Sequence, residues 1–356
     1  MRRMFVFLIC ISLLLPININ AMVDGSAAIL IDGNSGRVLY EKDVHEQKLI
    51  ASTVKVMTAL LAIESGRLYD LVKIDDNVLK SYGSGIYVSL NEEILLIDLV
   101  YGLMLRSGND AALAIANFVA GNETRFVELM NRKAIELGLE NTRFMNPHGL
   151  DEKNSNMVSA YDLAIIYKEA MNNEIFREIA STNNYTTKTN LKTYVWTNKN
   201  KLLRTYKYTT GGKTGFTKKS GRTLVSSAKK DNLELIVVTL NNGNDFSDHK
   251  KLYEYGFNKY SAVTLINSNR FKMPNSKYYG DRLYIREEFI YPLTKKEQNL
   301  IRKEIKLKKP RDEPGPKVGK INIYKSNELI GSVDVYVKSI TRKPKPKKSF
   351  LWRLFK

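Results

Sequence analysis

The sequence predicts an α/β (α+β) fold for its larger part, an antiparallel sheet with flanking helices, followed by a small all-β C-terminal domain. Three observations carry this. Strand signals open the larger part and close it, with helical signals between, so one sheet draws on both ends of the segment. The segment 52–65 is apolar on nearly every side, and such a helix belongs inside a domain. Beyond about residue 265 the pattern turns to short, partly alternating runs broken by Pro and Gly. With 356 residues, 43% of them hydrophobic and 26% charged, the chain is long enough for two domains and able to bury a core.

The elements follow in order. Residues 26–41 read as a hairpin, with 27–32 as a short apolar strand, Gly33-Asn34-Ser35-Gly36 as the turn and 37–41 as the return strand. The apolar helix at 52–65 comes next and is stopped by Gly66. Helices at 94–105 and 110–120 are joined by a tight Ser107-Gly108-Asn109 link, and further helical pattern lies at 124–137 and 160–170. A strand meander returns at 213–217, 222–228 and 233–240, and 250–260 reads as a closing helix. In the second domain the expected strands are 283–285, 289–293, 317–324 and 329–337.

At the N-terminus Arg2 and Arg3 precede an apolar run, Met4 to Leu15, and Ala21 supplies a small residue before a cut. Twelve residues span about 18 Å as a helix, short of a bilayer core of roughly 30 Å. The expected organisation is a signal peptide at 1–21, the larger domain at 22–265, a β-rich domain at 266–340 and a basic amphipathic tail at 341–356. In that tail five Lys/Arg at 342–348 precede an apolar face of Phe350, Leu351, Trp352, Leu354 and Phe355. This suits an anionic membrane surface; the plainer reading is a solvated basic tail touching anionic wall polymers. Export follows, with the protein expected at the outer face of the cytoplasmic membrane or in the wall.

Composition excludes several chemistries. The net charge is +19, yet residues 22–265 hold 30 basic and 28 acidic side chains, so the basic surface belongs to the C-terminal third and nucleic acid is not the expected partner. The single cysteine, Cys10, lies in the removable segment, leaving no disulfide, thiolate metal site or cysteine nucleophile. None of the three histidines sits in a paired metal spacing, so no metal is expected. There is no G-x-S-x-G elbow, P-loop or strand-linked G-x-G-x-x-G, and no cofactor is expected.

Three short motifs remain. Ser52-Thr53-Val54-Lys55 opens the buried helix. Ser52 alone reads as an N-cap; but a capping box would put Glu or Gln where Lys55 stands, and a cation at the positive end of a helix dipole is unfavourable. One helical turn brings Lys55 to Ser52, and burial lowers the pKa of an amine, so a neutral Lys55 can take the seryl proton. Ser107-Gly108-Asn109 taken alone is an ordinary helix–helix turn. Lys213-Thr214-Gly215, after Gly211-Gly212, taken alone is a polar strand edge; as a site it offers a cation, a hydroxyl and room for a ligand backbone.

Together, in this order and on a helix start, a loop and a strand, S-x-x-K, S-x-N and K-T-G resemble the signature set of penicillin-binding proteins and serine β-lactamases. Within that group the chain is similar to the low-molecular-mass D-alanyl-D-alanine carboxypeptidases, peptidase family S11. The residues that carry this are 51–58, Ser107 to Ala112, Phe144-Met145-Asn146-Pro147-His148-Gly149-Leu150 and Lys213 to Thr217. The resemblance implies a serine β-lactamase/transpeptidase-like domain with Ser52 as the acylated nucleophile and Lys55 as its base. It implies that Ser107 and Asn109 relay protons and hold the substrate amide. Lys213, Thr214 and Thr217 would bind the terminal carboxylate, with Gly215 giving access, and the N–H groups of Ser52 and Phe216 would form the oxyanion hole. His148 is expected to serve the loop. Many relatives carry a basic residue just before Phe246 to help bind the carboxylate, where this chain has Asp245, and Phe216 stands at a variable position.

The implied activity is removal of the terminal D-alanine from peptidoglycan pentapeptide stems, with β-lactams as covalent inhibitors. The alternatives are a serine β-lactamase, for which no Glu-x-x-Leu-Asn stands between the second and third motifs, a non-catalytic wall-binding or penicillin-sensing protein on the same fold, and a DD-endopeptidase.

Overall fold

A computed structural model describes residues 22–151, 155–268, 271, 279–308 and 316–338. The expected signal peptide and the tail at 341–356 lie outside the described residues. The chain divides into two compact units between Lys259 and Tyr260.

In the first unit β1 (Ala27–Asp32) and β2 (Val38–Lys42) form the N-terminal hairpin. A 3-10 turn at Ala51–Val54 runs into α1 (Lys55–Glu64). Then come α2 (Leu96–Arg106), α3 (Asn109–Ala120), α4 (Glu123–Glu136), α5 (Ala160–Met171) and α6 (Glu174–Ser181). The meander β3 (Thr209–Thr217), β4 (Gly221–Lys230) and β5 (Leu233–Leu240) follows, and α7 (Asp245–Lys259) ends the unit. All pairs in the five-stranded sheet are antiparallel, in the order β3-β4-β5-β1-β2, so strands from the two ends meet at β1 and β5, with Ala27 opposite Leu240 and Asp32 opposite Leu235. Every residue of β1 and β5 is buried because helices cover both faces: α5 packs on β1 and β5, and α7 packs on β4 and β5. This is the α+β arrangement that the order of signals predicts.

Helix α1 is central, packed against α2, α3 and α5, which is why Val56, Met57, Ala59, Leu60 and Ala62 are all buried. The serine of the first motif precedes the α-helix on the 3-10 turn. The closing helix starts at Asp245, five residues before the expected 250, because Asp245 and Asp248 occupy its first turn, where acids complement the dipole. Helix α6 and the ribbon Asn184–Lys188 with Thr193–Thr197 are not evident in the sequence.

The second unit holds a two-stranded pair, β6 (Ser261–Ile266) with β8 (Phe289–Leu293), and a sheet in the order β7-β11-β10-β9. Here β7 is Leu283–Ile285, β9 is Ile301–Leu307, β10 is Lys317–Lys325 and β11 is Glu328–Val337. Its core is Leu283, Ile285, Val318, Ile321, Ile323, Val333 and Val335, among others. The division falls before residue 261 because β6 pairs forward with β8, ahead of the change in composition at 265. Strand β9 escapes sequence reading because its IRKEIKL run is mostly charged. Among the described residues no helix is long and apolar enough to cross a membrane.

Helix α7 is tied to the sheet by His249, fully buried, with Nδ1 2.7 Å from Ser226 Oγ and Nε2 3.1 Å from Thr239 Oγ1. Burial pushes its pKa from 6.5 down to about 3. Below pH 6.5 the unfolded chain therefore binds a proton that the folded chain refuses, and stability falls as pH drops from 6.5 towards 3. Urea unfolding across that range is expected to show this slope in the wild type and a shallower one, by up to one proton, in His249→Gln.

Candidate active site

Ser52 sits where three segments meet. Ala51, just before it, has φ +46°, a left-handed conformation that non-glycine residues adopt only when their surroundings hold them there. The Ser52 hydroxyl caps no backbone N–H: the first residues of the turn have no side-chain cap, which removes the plain N-cap reading. On one side lies Gly149, at φ +88°, where a Cβ would overlap the Ala51 carbonyl. On the other lies Gly215 of β3, where a Cβ would come within 3.0 Å of the Ser52 nitrogen. Both glycines let backbone close on the serine.

Lys55 is fully buried. Its Nζ is 3.0 Å from Ser52 Oγ and donates to Asn109 Oδ1 at 2.8 Å and to the main-chain carbonyl of His148. No carboxylate lies within ion-pair distance of it among the described residues. Burial first, then repulsion from Lys213 and Lys199, holds its pKa well below the usual lysine value, opposed by Asp110. A neutral amine has two N–H groups and one lone pair. The two carbonyl oxygens take the N–H groups, and the lone pair is left for the Ser52 hydroxyl.

His148 thus serves through its carbonyl. The loop that carries it is braced by Asn146, whose Oδ1 accepts from Gly149 N at 2.7 Å and from Asn156 Nδ2 at 3.1 Å, and by Thr58, which donates to the Pro147 carbonyl at 2.7 Å. The His148 ring faces away from Ser52, with Nε2 3.5 Å from Glu123 Oε1 in a neighbouring cavity of about 450 Å³ that Asn109, Met145 and Leu150 also line.

Ser107 ends α2 with φ +66°, and Asn109 begins α3. The sharp turn aims both inward. Besides accepting from Lys55, the Asn109 amide donates to the Tyr82 carbonyl at 2.6 Å, and its N–H to the Ser84 carbonyl at 2.7 Å. Asp110 accepts from the N–H groups of Ile86, Tyr87 and Ala111, so residues 82–88 are folded around this one helix start.

Strand β3 is the edge of its sheet, so half of its backbone groups lack a strand partner and an extended peptide can align there. Thr214, Gly215 and Phe216 line a cleft of about 340 Å³ together with Ser52 and Ser107. Lys213 is fully buried, donates to the Thr214 carbonyl at 3.0 Å, and is pushed down to about 7 by burial and then by Lys199. The structure therefore gathers Ser52, Lys55, Ser107, Asn109, Lys213, Thr214, Gly215 and Phe216. Thr217 is not among the residues lining the cleft, and its hydroxyl is engaged by Asp151 and by Ser220 Oγ. Sequence reasoning misses Ser84, Lys199 and Lys201, which line the cleft, because the run Asn198-Lys199-Asn200-Lys201 looks like any polar loop. Among the described residues no cluster of His, Cys, Asp or Glu is arranged to hold a metal.

Comparison with known proteins gives the chain its family. Residues 17–244 match the D-alanyl-D-alanine carboxypeptidase family (peptidase S11), and residues 260–342 match the C-terminal domain of penicillin-binding protein 5. The chain is 33% identical over 337 residues to the D-alanyl-D-alanine carboxypeptidase DacF of Bacillus subtilis, covering 90% of this chain and 86% of that one. It is 31% identical to DacA of Escherichia coli over 279 residues, 73% of this chain and 67% of that one. Among solved structures it resembles penicillin-binding protein 5 of Haemophilus influenzae, with a TM-score of 0.73 and 27% identity over 89% of this chain and 97% of that one. Penicillin-binding protein 6B of Escherichia coli gives 0.68 and 27%, over 89% and 96%.

Two buried lysines with lowered pKa values have a consequence for stability. Between about 7 and 10.5 the unfolded chain holds a proton on Lys213 that the folded chain has largely lost, so folding gains as pH rises through that window. Thermal unfolding followed from pH 7 to about pH 9, below the usual tyrosine range, is expected to show a rising melting temperature, with a weaker rise in Lys213→Met.

Proposed function

The chain belongs to the D-alanyl-D-alanine carboxypeptidase family, and on that premise we propose that Ser52 is the residue acylated when this hydrolase removes the terminal D-alanine from peptidoglycan pentapeptide stems. The observation that carries the reading is the Lys55 amine, buried with no carboxylate at ion-pair distance among the described residues and 3.0 Å from Ser52 Oγ. Family membership makes it a serine carboxypeptidase of peptidoglycan stem peptides that binds β-lactams.

In the proposed reaction Lys55 Nζ takes the Ser52 proton as Oγ attacks the carbonyl of the penultimate D-alanine. The negative charge on that oxygen falls between the N–H groups of Ser52 and Phe216, worth about 3 kcal/mol per donor in sites of this logic. Asn109 holds the substrate amide, and Ser107 relays the proton from Lys55 Nζ to the departing amine of the terminal D-alanine. Lys213 and Thr214 face that residue's carboxylate. Water then hydrolyses the ester and restores Ser52 and Lys55. Thr217, engaged by Asp151, fixes the end of β3. Penicillin would acylate Ser52 by the same first half, and the lack of a Glu-x-x-Leu-Asn between the second and third motifs favours a lasting adduct over β-lactamase turnover.

The same reading takes residues 22–259 as the catalytic domain, exported by residues 1–21 and held at the outer face of the cytoplasmic membrane by the basic tail at 341–356. The amphipathic composition of the tail and the charge of the C-terminal third support it.

Incubation with benzylpenicillin, tryptic digestion and mass spectrometry are expected to find one penicilloyl group on the peptide containing Ser52. Ser52→Ala should lose both the adduct and D-alanine release. Lys55→Arg, which is permanently charged and cannot supply a neutral amine, should slow acylation by about 10²- to 10⁴-fold, as for loss of a general base. The wild-type acylation rate should rise with pH as Lys55 deprotonates, starting well below the ordinary lysine range. Adduct formation in Ser52→Ala at the wild-type rate would sink the assignment.

A further inference from the structure

The cleft lined by Ser52 and Thr214 is also lined by Arg222 and Asp245, to which the mechanism above gives no part. Arg222 lies on β4 directly opposite Phe216 of β3, and directly paired residues of an antiparallel sheet project from the same face. Its Nη2 donates to Asp245 Oδ1 at 2.8 Å. The two differ sharply in exposure: the Asp245 side chain is 3% exposed and that of Arg222 is 42%. The guanidinium also lies 5.3 Å from the ring centroid of Phe246, and its Nε is buried with no hydrogen-bond partner among the described residues. A buried acid and an aromatic ring thus hold a half-open cation on the cleft.

We propose that Arg222, oriented by Asp245, binds the free terminal carboxylate of the peptide substrate and so sets the enzyme's requirement for a C-terminal acid. This rests on Ser52 being the acylated residue. Asp245 occupies the position at which a basic residue was expected, and it supplies a cation indirectly by fixing one from the neighbouring strand. Guanidinium suits the task because its planar fork matches a carboxylate and it keeps its proton when partly desolvated. Lys213, fully buried one residue before Thr214 of the cleft wall and pushed down to about 7, is a weaker standing cation. Five donors on an arginine leave four after Asp245 is served, three of them on the terminal nitrogens beyond the buried Nε. Lys199 and Lys201 line the cleft as well, so a carboxylate entering it meets net positive charge despite Asp245. Arg222 is then a specificity-determining residue and Asp245 a positioning residue.

The test uses the full chain and two substrates, diacetyl-L-Lys-D-Ala-D-Ala and the same peptide ending in D-alaninamide. Arg222→Ala is expected to lower kcat/KM at least tenfold for the acid and to leave the amide within about twofold. Arg222→Lys should recover part of the acid activity. Asp245→Asn should raise KM for the acid more than it lowers kcat, the mark of a mispositioned cation. Acylation by benzylpenicillin and by its methyl ester should divide in the same way, which reads the first half-reaction alone. Equal losses on acid and amide, or no loss on the acid, would overturn the proposal; Arg222→Lys and Asp245→Asn decide it if Arg222→Ala fails to fold. Penicilloylation of wild-type Ser52 is scored separately, and its absence would remove the underlying reading whatever the arginine variants do.

Discussion

The architecture turns on one uncompensated amine. A lysine ammonium taken out of water without a carboxylate partner is costly enough that the group gives up its proton instead. Lys55 meets that condition at the start of a helix buried along nearly its whole length, and Lys213 lies near enough to add repulsion. What the fold supplies in exchange is geometry, with the side-chain oxygen of Asn109 and the main-chain oxygen of His148 placed to use up the two N–H groups. The direction of the lone pair is therefore set by the acceptors around it rather than by a neighbouring charge.

Much of the surrounding irregularity serves that placement. The left-handed Ala51 turns the chain so that the Ser52 hydroxyl stays off the helix axis, and the left-handed Ser107 reverses the chain tightly enough for Asn109 to reach Lys55. Such conformations cost on the order of 1–3 kcal/mol each and persist only where packing over-determines them. Here the packing is visible: Asp110 gathers four backbone N–H groups, and Asn146 and Thr58 pin the loop that delivers the His148 carbonyl. The strained positions lie beside the reactive groups and the rigid ones lie behind them.

How far the sequence discloses this depends on the kind of residue. Helix α1 and strands β1 and β5 are legible because burial on every side demands continuous apolar residues. The motif serines and lysines are legible because S-x-x-K, S-x-N and K-T-G each need their own element, and Lys55 breaks a capping rule in view. Strand β9 is not, since a small sheet with one open face tolerates IRKEIKL, whose charges hide the alternation. Lys199 is not, because a lysine in a polar loop carries no mark of the cleft it lines. The Arg222–Asp245 pair is not, because it joins a strand to a helix 23 residues on, and nothing in local pattern links them. His148 shows the opposite trap, a conspicuous side chain whose contribution is its peptide oxygen.

The position of β1 has a bearing on how the protein is made. Strand β1 lies between β2 and β5, and its partner on the second side ends at Leu240. A nascent polypeptide emerging from its amino end can pair β1 only with β2 until about 190 further residues have followed, because β2 ends at Lys42 and β5 begins at Leu233. Contacts this distant along the backbone are slow to form. Until then the oily strand has no second neighbour, so the early chain depends on being kept extended or shielded rather than maturing piece by piece.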